Sequence, residues 1–526
     1  MAAPVRKSSL ARAYGGEISS DAGDGANDAQ VFRPEVRRRS WSSAGAFSAN
    51  LLEKRPVSSS NASLASRRRS GSVGASSPMQ RRTLEAIHAK VWANAGGRSV
   101  GLFGGRQTLG PLLVLLVGPL FVFLLHATML DKESSLDNMI SHLTNTGPVQ
   151  LLCDMASEGF NRHTWKIIGI IAGLQLALHY LIPAPRVQGS VSPSGSRLVH
   201  KCNALPSLII TVMLFVGGAQ FGFYRGSLIY DSHASYLACA TVGIFALCCL
   251  LYVKAVVRPS TNDFGTTSSA VFDIFWGFEL HPTVFGFNVK TFLVHRYSIT
   301  YWTLYLLSAV YKQRKLSIPL LTNVALQLLY LLKYQLLEEL YVTSLDSAHE
   351  RAGFYLLFSR LVVTAGVHTA STAFLASHAP PHVPAAMLLL AFCLGLAALA
   401  VGFDADRQRL VARRSAGLVK IWSRDPYFIS ARFKCENGES HTSVVLGSGY
   451  WGLARHFNYL PEVAVALCWT LPAWTQFALP HLYPLYVALL LLDRAYRDDA
   501  RCRAKYGRSW ETYCAQVPFL IVPGFL

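Results

Sequence analysis

The chain has 526 residues, of which 51% are hydrophobic and only 15% charged, where an ordinary soluble domain has about a quarter charged. It still carries 49 Lys and Arg against 30 Asp and Glu, a formal net charge of +19. That balance excludes a small disulfide-stapled secreted scaffold and general disorder, and it points to a polytopic membrane protein with basic segments facing the cytosol or anionic lipid.

Residues 1–106 hold 17 Lys and Arg, Arg37–Arg39 and Arg67–Arg69 among them, against seven Asp and Glu. Rich in Ser, Ala and Gly and without an apolar run able to build a core, they predict a disordered basic cytosolic tail. No short apolar segment follows the first charges, so a signal peptide is not expected. Arg37–Ser40 and Arg67–Ser72 are either a solvated face or sites for phosphorylation, nucleic acid or lipid headgroups.

From Leu109 to Leu130 the chain is almost wholly apolar and long enough to span hydrocarbon. Similar runs follow at 165–182, 205–224, 234–256, 298–311, 316–337, 354–376 and 383–403. The last block, 460–493, is broken by Pro472, Pro480 and Pro484 and reads as two half-length helices, 460–477 and 480–493. This gives about ten transmembrane helices. Lipid cannot satisfy open backbone groups, so the expected fold class is all-α. The expected organisation is the tail 1–106, a transmembrane bundle over 107–404 carrying a substrate cavity, and a C-terminal region over 405–526. Cys239, Cys248, Cys249, Cys393 and Cys468 lie in apolar runs and read as packing residues rather than a disulfide framework.

Basic clusters set the expected topology. Lys312, Arg314 and Lys315 form one, Arg407 to Arg424 a second, and Arg494 to Arg508 a third. By the positive-inside rule all three, and both termini, face the cytosol.

Chemistry concentrates near the C-terminus. Arg494, Arg497, Asp498, Arg501, Cys502 and Lys505 share one helical stripe, and Tyr506, Trp510 and Tyr513 follow. Forked arginines at this spacing suit phosphate groups; an amphipathic helix lying on the membrane with an internal Arg494–Asp498 pair explains the stripe equally well. Earlier stands Ser448-Gly-Tyr-Trp-Gly-Leu-Ala-Arg-His-Phe-Asn-Tyr459. Its glycines allow close backbone approach, Arg455 can meet a phosphate, and Asn458 and Tyr459 can hydrogen-bond an amide or ribose.

These two segments, in this order around an apolar pair, resemble the sterol C-14/C-7/C-24(28) reductase family. The matched patterns are Gly-[Trp/Tyr]-Trp-Gly-x-x-Arg-His-x-Asn-Tyr and Arg-Asp-x-x-Arg-Cys-x-x-Lys-Tyr-Gly-x-x-Trp-x-x-Tyr, continued by Val517-Pro518 to Pro523-Gly524-Phe525-Leu526. Weaker similarity appears at Phe272-Asp273 to His281-Pro282, Trp302-Thr303-Leu304, Lys312-Gln313-Arg314 and Gln327 to Asp346, so that about 109–526 is covered.

The resemblance implies an endoplasmic-reticulum enzyme that reduces a sterol double bond with NADPH and needs no metal. An acid protonates the alkene, and hydride from the nicotinamide quenches the carbocation. Carried over by position, the cofactor would be held by Arg409, Arg413, Trp451, Arg455, His456, Asn458, Tyr459, Arg494, Asp498, Arg501, Cys502, Tyr506 and Tyr513, with Arg409 standing where the family has Lys. The chain departs from the family in the sterol half. Ser359-Arg360 replaces Gly-Asp, His368 replaces a Tyr implicated in protonation, and Ser371 replaces a Gln. The catalytic candidates are His368, Asp498 and Glu338, although an intramembrane His can also simply pack between helices.

The block 327–358 leans to the delta(14) enzymes and the Pro-Gly ending to the delta(7) enzymes; delta(14) is favoured narrowly. Two other readings stay open. An isoprenylcysteine-type membrane methyltransferase uses a related Arg-His-x-x-Tyr pattern, and would bind S-adenosylmethionine instead. A non-catalytic envelope protein like the lamin B receptor would use its basic tail to bind nuclear partners, lamin-type protein or nucleic acid. The expected partners of the enzyme itself are a sterol and membrane lipid.

Overall fold

In the computed structural model, residues 109–525 are described apart from 132–133, 266–269, 314, 380–381 and 475–477. The tail 1–106 and its Arg–Ser clusters lie outside the described residues, as do Arg314 and Leu526.

The first helix, α1 (Leu109–Leu130), has the bounds of the apolar run that predicts it. Two short amphipathic helices, α2 (Leu136–Thr146) and α3 (Pro148–Gly159), lead into α4 (Arg162–Leu181). Asn161 caps α4 by accepting from the backbone N–H groups of His163 and Thr164. A hairpin follows, β1 (Arg186–Val191) with β2 (Arg197–Lys201), and then α5 (Ala204–Gln220) and α6 (His233–Val257). A two-residue ladder, β3 (Thr283–Val284) with β4 (Phe287–Asn288), precedes α7 (Ser298–Lys312). Next come α8 (Ile318–Leu336), α9 (Glu338–Val342) and α10 (Leu345–Ala348). The chain continues through α11 (Ala370–Ser377) and α12 (Ala385–Arg414) to a second long hairpin, β5 (Phe428–Lys434) with β6 (Ser440–Leu446). It ends with α13 (Tyr459–Thr470), α14 (Leu482–Tyr506) and α15 (Arg508–Gln516).

The described residues are thus mostly helical, but not all-α: three antiparallel two-stranded ladders among them sit in the connections. The β5–β6 hairpin turns at Asn437-Gly438, with Gly438 at φ +83°, which favours glycine because no Cβ meets the backbone. Among the described residues four helices, α1, α4, α6 and α12, are long and apolar enough to cross a membrane. A fifth arises if α8 and the segment Glu338–Ala348, bent by 70° against each other, count as one. The remaining expected spans are shorter or interrupted. The run 354–376 is divided by a π-helical turn at Ser359–Val363 and a break before α11. The half-helix expected at 480–493 instead continues without a break to Tyr506.

The three basic clusters do not share one end of the bundle. Lys312, closing α7, pairs with Asp231 just ahead of α6 at 2.6 Å. Arg414, closing α12, pairs with Glu339 in α9. Between those two places runs the whole of α8, 19 residues or about 28 Å. The Lys312–Lys315 loop therefore faces the side opposite Arg407–Arg414 and Arg494–Arg508. The positive-inside rule counts charges without knowing which helices run antiparallel, and α7 and α8 do.

The centre of the bundle is held by a buried, mutually satisfied polar network. Trp302 Nε1 donates to Gln327 Oε1 at 2.9 Å, and Gln327 Nε2 donates to Asn323 Oδ1 and Thr372 Oγ1, both at 2.8 Å. Asn323 Nδ2 in turn donates to the Trp469 carbonyl at 2.6 Å and to Ser371 Oγ at 3.0 Å. Such a network orders α7, α8, α11 and α13 against one another, because each buried group left unpaired would carry a penalty of about 1–3 kcal/mol.

Candidate functional site

A small cleft of about 80 Å³ opens where α12, β6, the Gly449–Gly452 turn, α14 and α15 converge. Arg409, Arg413, Trp451, Arg455, His456, Asp498, Arg501, Cys502, Tyr506 and Tyr513 line it. Of the residues picked out for a cofactor, only Asn458, Tyr459 and Arg494 fall outside the lining.

The turn is built for close packing. A Cβ on Gly449, at φ +63°, would overlap Gln408 Oε1, and one on Gly452 would lie 2.8 Å from the Gly447 carbonyl oxygen. This seats Trp451, whose Nε1 donates to the Ala405 carbonyl at 2.7 Å while its own carbonyl accepts from the Tyr513 hydroxyl at 3.2 Å. Arg409 lies over the indole, 4.6 Å from the ring centroid. The C-terminal segment then closes the floor: the Arg455 and His456 N–H groups donate to the carbonyls of Phe519 and Leu520 at 3.0 and 2.9 Å.

On α14 the cationic stripe is real: Arg497–Asp493, Arg501–Asp498 and Arg503–Asp499 pair within it, while Arg494 and Arg497 also reach outside. Arg494 meets Asp346 of α10 at 2.5 Å, and Arg497 meets Glu350 at 3.1 Å. Asp346 is also paired with Arg360, the residue standing where the family has Asp. The Lys290 ammonium, fully buried, supports that loop by donating to the Asp346, Ser347 and Glu350 carbonyls at 3.1, 2.9 and 2.8 Å. Asp498, which an internally paired helix would set against Arg494, accepts instead from Arg501 at 2.6 Å. Burial opposes charge on the Asp498 carboxylate, but Arg501 and His456 outweigh it and hold it well below the usual carboxylate range. Arg455 binds Asp499 at 3.0 Å.

Several groups in the cleft keep unused hydrogen-bonding capacity. Arg409 Nε, Arg455 Nε and His456 Nε2 are buried without a partner, as is Asn458 Oδ1 just outside the lining. Burial lowers His456 to about 4 and raises the Cys502 thiol to about 12, so both are neutral near pH 7. The arrangement is a cationic, aromatic-walled cleft that suits a planar, anionic ligand.

A wider cleft of about 420 Å³ adjoins it and shares Arg413, Arg501 and Tyr506 as a common wall. A third cavity, of about 620 Å³, lies at the other end of the bundle beside Asp231 and Lys312 and contains none of the candidates.

The three catalytic candidates fall in three places. His368 packs against Trp302 and Tyr483, with ring centroids 5.1 and 4.3 Å apart, and its Nδ1 has no partner. Asp498 lies 15 residues beyond Tyr483 on α14, about 22 Å along the axis. It is therefore not beside His368. Glu338 accepts from the Ala204 N–H at 2.9 Å, bonds His200 Nε2 at 2.7 Å and faces Arg296 at 3.7 Å. His200, Cys202 and Glu338 offer ligand atoms within 4.8 Å of one another, but the Arg296 guanidinium already supplies the positive charge there. Sequence reading missed Lys290 and Asp499, whose roles come from partners distant in the chain, and it marked Arg360 only as a departure from the family, without its partner Asp346.

The description "Ergosterol biosynthesis ERG4/ERG24 family" belongs to the family model that matches residues 100–526. A 7-dehydrocholesterol reductase of Arabidopsis thaliana is 36% identical over 421 residues, 78% of this chain and 96% of its own length. A delta(14)-sterol reductase of Methylotuvimicrobium alcaliphilum is 32% identical over 372 residues, 68% of this chain and 83% of its own length. A delta(14)-sterol reductase of Mus musculus is 30% identical over 435 residues, 80% of this chain and 96% of its own length.

Proposed function

The chain belongs to the ERG4/ERG24 family of sterol reductases, and from that premise we propose that it reduces a sterol ring double bond with NADPH at the endoplasmic-reticulum membrane, its cofactor cleft facing the cytosol. The observation that carries the cofactor assignment is the cleft itself, where Arg413, Arg455 and Arg501 converge around buried polar atoms that lack partners. Those groups fit a dinucleotide: forks for its phosphates, and the faces of Trp451, Tyr506 and Tyr513 for its planar rings. Asp498 keeps the Arg501 fork in place, and the 3.2 Å bond from Tyr513 fixes Trp451. Bound there, NADPH would supply the hydride for the reduction. Proton delivery falls to the sterol half, where His368 is the candidate donor.

Delta(14) is the position favoured by the block 327–358. Delta(7) is a second reading, favoured by the 36% identity to a 7-dehydrocholesterol reductase. Sterol profiling after gene deletion separates the two, since the accumulating alkene names the substrate.

Arg455→Ala and Arg501→Ala are expected to weaken NADPH binding by roughly 1.5–3 kcal/mol each, the worth of a hydrogen bond to a charged group, and to leave sterol binding nearly unchanged. Equilibrium titration of NADPH fluorescence measures this, and unchanged affinity in both variants would remove the assignment. Binding should also depend on pH through Lys505. Burial, with Arg501 and Arg413 nearby, lowers its ammonium to about 8 despite the opposing effect of Cys502 and Cys435. An arriving phosphate stabilises the charged form and raises that pKa, so Lys505 takes up a proton when NADPH binds above pH 8. Affinity should accordingly be level below pH 7 and fall between pH 8 and 10. A flat profile in a Lys505→Met variant, with the fall retained in the wild type, identifies the group.

A further inference from the structure

Resting on the reading of the inner cleft as a dinucleotide site, we propose that the adjoining outer cleft is the subsite for the 2′-phosphate that distinguishes NADPH from NADH, and that Arg197 and Lys434 select for it. The two clefts share Arg413, Arg501 and Tyr506, so one extended ligand can occupy both. The order along it follows from the helices. Arg409 and Asp498 line the inner cleft, while Arg413 and Lys505 line the outer one, one to two turns or about 6–10 Å farther from the bundle. The hydride-bearing ring must approach the sterol within the bundle, so the adenosine end lies outward.

Charge at the outer end exceeds what the protein itself neutralises. Arg197 opens β2 and Lys434 closes β5, both exposed, and neither forms an ion pair among the described residues. Lys505 lies 4.0 Å over the Phe433 ring with no carboxylate partner. The one carboxylate lining this cleft, Glu436, has both oxygens buried. The hairpins that carry these cations are more than 200 residues apart in sequence yet stitched together, the Glu436 N–H donating to the Pro193 carbonyl at 3.0 Å and Cys435 Sγ to the Ser192 carbonyl at 3.7 Å. The two hairpins that carry the cations are thus held together at the rim of a 420 Å³ cleft, a volume within the range of nucleotide-sized pockets. A ribose hydroxyl presents no charge to such a rim; a phosphomonoester presents nearly two.

The test is calorimetric titration of the full-length protein in lipid nanodiscs with adenosine 2′,5′-bisphosphate, 5′-AMP, NADPH and NADH. The wild type is expected to hold the bisphosphate at least about tenfold more tightly than AMP, and Arg197→Ala and Lys434→Ala should each remove most of that preference while leaving NADH unchanged. Equal affinity of the wild type for the two adenosine nucleotides overturns the proposal, and so does a loss that NADH shares. A wild type that prefers the bisphosphate but binds neither dinucleotide would refute the dinucleotide reading of the inner cleft and leave the phosphate subsite standing.

Discussion

Asp346→Ala is expected to be the most damaging single substitution outside the hydrophobic core. Its carboxylate is almost fully buried and sits between two guanidinium groups, Arg494 at 2.5 Å and Arg360. Taking it away leaves two cations in a site with little water, and breaking a buried pair from one side typically removes 3–5 kcal/mol. Against a total stability of about 5–15 kcal/mol, that is a large share. The damage reaches the cofactor cleft as well, because Arg494 and Arg497 dock α14, which carries Asp498 and Arg501. Asp346→Asn keeps the shape and one acceptor, and should fall between the wild type and the alanine variant. A double variant, Asp346→Ala with Arg360→Leu, removes one of the stranded cations and should recover part of the loss. Thermal unfolding in detergent reads the first effect and NADPH titration the second; an unaltered unfolding midpoint in Asp346→Ala would show that the two arginines do not depend on it.

His368→Phe is expected to reduce turnover by about 10²–10⁴-fold, the usual contribution of a positioned proton donor, with NADPH affinity unchanged. Phenylalanine preserves the packing against Trp302 and Tyr483 but has no Nδ1 to offer. Cofactor binding should be untouched because the inner cleft lies some four to six turns of α14 away. His368→Tyr restores a hydroxyl donor and should keep measurable activity. Full activity in the Phe variant would move the acid elsewhere, and Glu350, which reaches α14 through Arg497 at 3.1 Å, would be examined next. Glu338 is already engaged by His200, the Ala204 N–H and Arg296.

What could be read from the sequence followed the range of the forces involved. The apolar run Leu109–Leu130 gave its helix to the residue, since burial in lipid depends on local composition alone. The Arg494–Lys505 stripe also formed as helical periodicity requires, and ten of the thirteen residues named for a cofactor line one cleft. Electrostatic partners were illegible. Arg494 prefers Asp346, nearly 150 residues away, to Asp498 one turn away, and no spacing rule ranks those two. The β5–β6 hairpin did leave a signal, alternating apolar residues around Asn437-Gly438, which the expectation of an all-helical membrane protein passed over. The π-helical turns at Phe292–Tyr297 and Ser359–Val363 left none, because an extra residue in a helical turn is settled by what the helix packs against.

The bonds from Arg455 and His456 to Phe519 and Leu520 fix the moment at which the cleft can come into being. Helices of the bundle can insert and pair while synthesis is still under way, since each needs only neighbours already made. The cleft needs Phe519 and Leu520, which are made after every helix of the bundle. A stop codon between positions 507 and 519 therefore produces a bundle that carries its membrane helices and an unfinished floor where the cofactor should rest.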